Sequence, residues 1–313
     1  MAEITTTPAP PAARRRWASL FNNPMTVKEL RSRMRGRRAF AVLSLYLIVL
    51  SGVITLVYLT YATSVNMPGS TSAYTAGKGL FAAVLSVQVL LVTFIGPIFT
   101  AGAISGERDR QTFDLLRTTL LSADALVLGK LVSALSYIFL LVLVSIPLQS
   151  IAFLVGGLSP IELVLSQLLI LVTAVSYAIY GLWCSAAMRS TLTATVATLA
   201  GTLFVTFGIP MLAFMGIIVL GTTGGAFGTI DPSVEIAMTY AGLVLAAINL
   251  PATLIVSETF LLNQNTLVGF THFVSGQAIW IFSPWILFII LHVLAAVFFY
   301  TRTVRRVRRV SDQ

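Results

Sequence analysis

Long apolar runs with almost no charge inside them fill most of this chain, and they leave it one broad class of fold. A bilayer crossing needs about 20 consecutive apolar residues. Six windows meet that length, at 39–61, 79–103, 131–154, 163–188, 192–220 and 278–300, and a seventh at 236–256 comes close. Charged residues make up only 10% of the chain, where a soluble domain carries about 25%. The sequence therefore predicts an all-α polytopic membrane protein. Its soluble chemistry is confined to short connections and two ends.

Charge decides how the runs are threaded. The net charge of +9 is concentrated at 14–38 and 302–309, each beside an apolar run. Basic flanks mark the cytoplasmic side of spans and attract anionic headgroups, so membrane lipids are the expected partner of these clusters and nucleic acid is not. Nine Lys and Arg precede residue 39, and the tail carries Arg302, Arg305, Arg306, Arg308 and Arg309. Seven crossings would put these two clusters on opposite sides. One run must then fail to cross, and 236–256, with Asn249 and Pro251 near its end and Glu258 just after, is the best candidate. The expectation is six crossings with both termini cytoplasmic, a re-entrant or outer element over 233–262, and a location in the plasma membrane.

The ends read simply. Residues 1–22 begin with a Thr/Pro/Ala-rich stretch and are expected to form a cytoplasmic tail rather than a cleaved signal. Asn23 and Pro24 look like a helix start, and 23–38 is predicted to be an amphipathic helix in the headgroup layer, with Val27, Leu30 and Met34 on one side and Lys28, Arg31 and Arg35 on another. Residues 301–313 form a basic tail. Lys78, at the outer end of the second span, is expected to snorkel. Gly102 and Gly106 form a small-xxx-small pair suited to close helix packing.

Several chemistries are missing. No G-x-x-x-x-G-K-[ST] loop occurs, so the chain does not cradle ATP in the P-loop manner, and no H-E-x-x-H occurs. The lone Cys184 excludes an internal disulfide and a four-cysteine zinc site. His272 falls in a connection, and His292 falls in the last span, where packing or a backbone hydrogen bond suits it. No catalytic residue, metal site or bound cofactor is expected. Lys78, Glu162, Arg189 and Glu258 all lie near the ends of runs, unlike the mid-membrane ionisable groups of a proton relay.

One hydrophilic interruption stands out, at 104–130. It is expected to form two short helices. The first runs from Glu107 to about Arg117, with Arg110–Asp114 and Asp114–Arg117 pairs on one side and Phe113, Leu116 and Leu120 on another. Ser122 then caps a second helix, with Asp124 in its first turn, which feeds the third span through Gly129 and Lys130. The product is a two-faced helical elbow.

The run Ile104-Ser-Gly-Glu-Arg-Asp-Arg-Gln-Thr-Phe-Asp-Leu-Leu116, with Ser122 and Leu128-Gly-Lys130 after it, resembles the signature of ABC exporter permeases of the type-2 family. Asn23-Pro24 and Lys28-Glu29-Leu30-Arg31 resemble that family's connecting helix. Gln111 departs from the usual Gly, and Leu120 from a frequent Pro; both changes are expected to make the elbow more helical. The resemblance implies a separate ATPase subunit that holds ATP and magnesium, and a second permease half, identical or paralogous. It implies that the elbow is a coupling helix, with Glu107, Arg108, Arg110, Thr112, Phe113, Asp114 and Arg117 facing the ATPase and Lys28, Glu29, Arg31 and Arg35 flanking the contact. The rival expectation is a secondary transporter or a membrane scaffold that works without an ATPase.

Overall fold

The computed structural model describes residues 37–64, 73–111, 123–156, 158–216, 218, 232–264, 266–274 and 277–311. The helices are α1 (Arg37–Ser64), α2 (Ala73–Ala101), α3 (Ser105–Asp109), α4 (Ala123–Val155), α5 (Pro160–Ala187) and α6 (Thr191–Leu203). A π-helical turn, Phe204–Gly208, carries α6 onward to Gly216. Then follow α7 (Pro232–Ala246), α8 (Leu250–Gln264), the strands β1 (Gly269–Val274) and β2 (Gln277–Phe282), and α9 (Pro284–Ser311). Among the described residues, six helices are long and apolar enough to cross a membrane: α1, α2 with α3, α4, α5, α6 and α9. The protein is an all-α polytopic membrane protein with one small antiparallel strand pair.

Two boundaries differ from the sequence expectation. Residues 277–282 are a strand, so the last long helix begins at Pro284 instead of 278. Ile279 and Ile281 point inward while Ala278 and Trp280 point out. The outward Trp280 hides this period-two pattern inside an apolar run, and Pro284 supplies the helix start. Gly129 and Lys130 do not link a separate loop helix to a span. They lie inside one continuous helix, α4, which starts at Ala123 with Asp124 in its first turn.

The elements define two faces. Gly79 near the start of α2 lies beside Val57 near the end of α1. A Cβ on Gly77 would sit 1.6 Å from the Gly156 carbonyl oxygen, so the start of α2 crosses the end of α4 backbone to backbone and only glycine fits there. Gly156 itself takes φ +104 just past the α4 terminus. The strand pair and the α7/α8 pair share this hairpin face: Leu243, Phe260, Ile279 and Ile281 form one cluster, and the Tyr240 hydroxyl donates to the Trp280 carbonyl at 3.0 Å. The other face gathers the start of α1, α3, the α5–α6 turn and the end of α9. It is termed the elbow face below.

Residues 232–264 do not form one straight helix. The axes of α7 and α8 bend by 119° at residues 247–249, more than a right angle, so the chain turns back on itself. Asn249 at the apex is 1% exposed, and its fixing has a clear cause. Pro210 in α6 has no N–H, so the Thr206 carbonyl four residues earlier loses its helix partner. In the π turn the Ile209 N–H bonds Phe204 O, which frees the Val205 carbonyl as well. The Asn249 side-chain amide donates to both, at 2.7 Å and 2.8 Å. Its own oxygen accepts from Ala252 N–H at 3.0 Å, which starts α8. Irregular backbone at membrane depth survives only where protein satisfies it, and here two irregularities satisfy each other. Replacing Asn249 by Leu is expected to cost about 1–3 kcal/mol. Protease sensitivity of α7 and α8 in detergent would report the loosening.

In the core, α2 and α5 are the central pair, each more than half buried along its apolar stretch, while α1 and α6 are little buried. Three buried glutamines join α2, α4 and α5. Gln149 and Gln167 donate to the Gln88 carbonyl oxygen at 2.9 Å and 3.2 Å, Gln167 donates to Gln149 at 3.0 Å, and Gln88 donates to Ser145. Such carboxamides bind spans to one another where no water competes.

Candidate functional site at the elbow face

The residues that carried the sequence argument begin where α2 breaks. Gly102, Ala103 and Ile104 form a turn, and α3 starts at Ser105 without a side-chain cap of its own. The break exposes two N–H groups in a buried place. Ser185 on α5 supplies the acceptor: Ile104 N–H and Ser105 N–H both donate to its Oγ, at 2.9 Å and 3.0 Å. The Ser105 hydroxyl lies 3.2 Å from the same oxygen. All three residues are fully buried.

The next three residues each hold a different helix. Glu107 Oε1 pairs with Lys130 Nζ of α4 at 3.2 Å, and Lys130 is 3% exposed. Arg108 donates to the Ala186 carbonyl at 3.3 Å, at the C-terminus of α5 where cations are favoured. Asp109 Oδ2 accepts from the Thr191 N–H at 3.1 Å and the Thr191 hydroxyl at 2.7 Å. Thr191 is the first residue of α6, so the carboxylate sits at that helix's positive end. The end of α9 closes the face. Arg306 donates to Ala187 O at 3.2 Å, and Arg308 reaches Asp124 at the start of α4 at 3.5 Å.

Sequence reasoning placed these groups in one segment but assigned them differently. The expected helix from Glu107 to about Arg117 ends at Asp109, and Gln111 takes φ 56. Gln111 thus occupies a left-handed conformation that glycine adopts most easily. Its presence keeps a turn here instead of the longer, more helical elbow expected. Glu107 and Arg108 are half-buried against the protein's own helices, Asp109 is exposed but bonds Thr191, and Arg110 and Gln111 are exposed. Thr112, Phe113, Asp114 and Arg117 lie outside the described residues, as do Lys28, Glu29, Arg31 and Arg35. Gly102 and Gly106 both face Thr191, but a Cβ there would meet its methyl at 3.9 Å and 3.5 Å, ordinary contacts. Tight packing requires glycine elsewhere, at Gly181, where a Cβ would fall 2.2 Å from the Thr100 hydroxyl.

A polar cavity of about 400 Å³ opens beside the turn, lined by Gly106, Glu107, Asp109, Arg110, Lys130 and Thr191 among others. Among the described residues, no three His, Cys, Asp or Glu side chains converge as a metal site would require. Away from this face, Lys78 is not extended to the surface as a snorkelling lysine would be. It is 12% exposed and pairs with Glu162 and with Glu258, the latter at 3.1 Å. His292 behaves as its place in a span suggests, with Nδ1 3.0 Å from the Phe288 carbonyl. His272 lies exposed on β1. No protein-family model matches the chain, and no curated protein is significantly similar to it.

Proposed function

We propose that this chain is the membrane subunit of an ATP-driven exporter, and that the segment around Arg110 is where a separate ATPase subunit docks. One observation carries the reading: Glu107, Arg108 and Asp109 fasten this turn to α4, α5 and α6, while Arg110 and Gln111 beside them face outward. A push on the exposed side is passed to three spans at once. Packed helices respond by tipping as units, which changes the side from which the pathway opens. ATP and magnesium belong to the partner, and this chain catalyses nothing itself. A second permease half completes the pathway.

Orientation follows from charge. Among the described residues, Arg108, Arg110, Lys130, Arg189, Arg302, Arg305, Arg306 and Arg308 lie at the elbow face, and Lys78 is the one Lys or Arg at the hairpin face. The positive-inside bias makes the elbow face cytoplasmic. Both ends of the helical bundle, the start of α1 and the end of α9, then lie inside the plasma membrane's cytoplasmic leaflet, next to the ATPase.

The test is copurification. The tagged full chain, extracted from native membranes, is expected to bring down a nucleotide-binding ATPase subunit. Arg110→Glu combined with Phe113→Ala is expected to lose that subunit while still inserting in the membrane. An unchanged yield of ATPase with the double variant would remove the docking role. Transport by the purified chain under an ion gradient alone would favour a secondary transporter.

A further inference from the structure

We infer that a cavity midway along α5, α6 and α9 binds a neutral, lipid-like alcohol, with His292 accepting from its hydroxyl and Ser176 donating to it. Binding there is independent of the exporter reading. α6 and α9 each pack against α5 but leave a gap between themselves. That gap is a cavity of about 460 Å³, within the range of about 300–1,000 Å³ usual for small-molecule sites. On α9 it runs from residue 291 to residue 299, a rise of about 12 Å. The wall is largely apolar, with rings from Tyr177, Tyr180, Phe204 and Phe299, and no charged side chain lines it.

Two polar groups in this wall are left over. The other hydroxyls are engaged within the protein: Tyr177 with Thr206 at 2.9 Å, Tyr180 with the Ala197 carbonyl at 3.3 Å, and Thr202 with the Thr198 carbonyl at 3.1 Å. His292 and Ser176 are each 7% exposed. The Phe288 carbonyl can only accept, so His292 Nδ1, 3.0 Å away, carries the hydrogen. No carboxylate lines the cavity to pair an imidazolium, so the ring is neutral and Nε2 is an acceptor. Nε2 and the Ser176 hydroxyl have no hydrogen-bond partner among the described residues. Neither atom is among those sealed inside protein without a partner, so both open on the cavity that their residues line. Buried polar atoms nearly always have a partner. Two left open on one apolar cavity point to a ligand.

The wall also selects the ligand. Its apolar lining favours a hydrocarbon skeleton, and the absence of a counter-charge disfavours a carboxylate or ammonium head. A hydroxyl suits both free groups, because it can donate to Nε2 and accept from Ser176. α6 and α9 are little buried, so the gap between them faces lipid and the ligand enters from the bilayer.

The experiment is photo-crosslinking of the full chain in lipid nanodiscs with a diazirine-bearing dodecanol, competed by unlabelled dodecanol or its methyl ether. Saturable crosslinking to peptides of α5, α6 and α9 is expected. Dodecanol is expected to compete about ten-fold better than the ether, the value of one hydrogen bond in an apolar site. His292→Phe keeps the ring shape but removes the acceptor, and is expected to erase that preference. Ser176→Ala is expected to weaken alcohol and ether alike, since both can accept. Ala295→Trp fills the cavity and is expected to abolish crosslinking. Equal competition by alcohol and ether in the wild-type chain would overturn the site and leave the gap to ordinary acyl chains. So would an undiminished preference in His292→Phe that elutes from gel filtration as wild type does.

Discussion

Ser185→Ala is expected to destabilise the protein by about 2–6 kcal/mol, because two buried N–H groups, each worth about 1–3 kcal/mol when orphaned, lose their acceptor together. The N–H groups of Ile104 and Ser105 belong to the turn that joins α2 to α3, and the Ser185 oxygen lies within 3.0 Å of both. The helix-start residue Ile104 offers no side-chain acceptor for these N–H groups, so the backbone there has to shift. Ser185→Thr keeps the oxygen and is expected to recover most of the loss. The neighbouring Cys184 gives a convenient reporter. It is the single cysteine and is buried, so a thiol-reactive dye reads unfolding directly in detergent. Equal melting of Ser185→Ala and wild type would mean that the oxygen does not hold the turn. On the proposed exporter reading, the same variant in a reconstituted complex is expected to retain the ATPase but to transport less well, since the proposed docking residues stay while one of the turn's two links to α5 is lost and only Arg108–Ala186 remains.

Lys78→Met is the second large effect, at about 3–5 kcal/mol, the cost of removing one partner from a buried ion pair. Glu162 is 9% exposed and Glu258 32%, and the Lys78 ammonium is what allows two carboxylates to approach. Without it, like charges repel between α5 and α8. The expected outcome is release of α8 and a lower melting temperature. The triple change Lys78→Met, Glu162→Gln, Glu258→Gln removes the repulsion and is expected to restore much of the stability. If the single variant melted like wild type, the cluster would not be holding the re-entrant pair.

These two residues show what the sequence did and did not make legible. The six long spans were legible because about 20 apolar residues in a row have one physical use, and the run at 236–256, set apart by the parity of the basic ends, is bent by 119° instead of forming one straight helix. Asn249 and Pro251 stand out in the sequence near the end of 236–256, but their relation to Pro210 does not. That Asn249 caps the carbonyls Pro210 leaves open is a contact across 43 and 44 positions that no local pattern announces. The ion pairing of Lys78 was missed for the same reason, since Glu162 and Glu258 are 84 and 180 residues away in sequence. Gln88, Gln149 and Gln167 escaped because a search for charged groups passes over amides. The strands were missed because Trp280 on the outward side masks alternation, although Ser275-Gly276 between two β-rich runs was a turn signal. At the elbow the segment was legible from its charges. Its shape was not, because Gln111 accepts a left-handed conformation that composition assigns to glycine.

The central claim is that the elbow is a cytoplasmic protrusion that receives an ATPase. Single cysteines at Gln111 and Thr271, both exposed and on opposite faces, placed in a Cys184→Ser background, test it most directly. A membrane-impermeant maleimide is expected to label Thr271→Cys on intact cells and Gln111→Cys only in inverted vesicles, with the ATPase subunit shielding the latter. Labelling of Gln111→Cys on intact cells, or its full labelling in the assembled complex, would contradict the account.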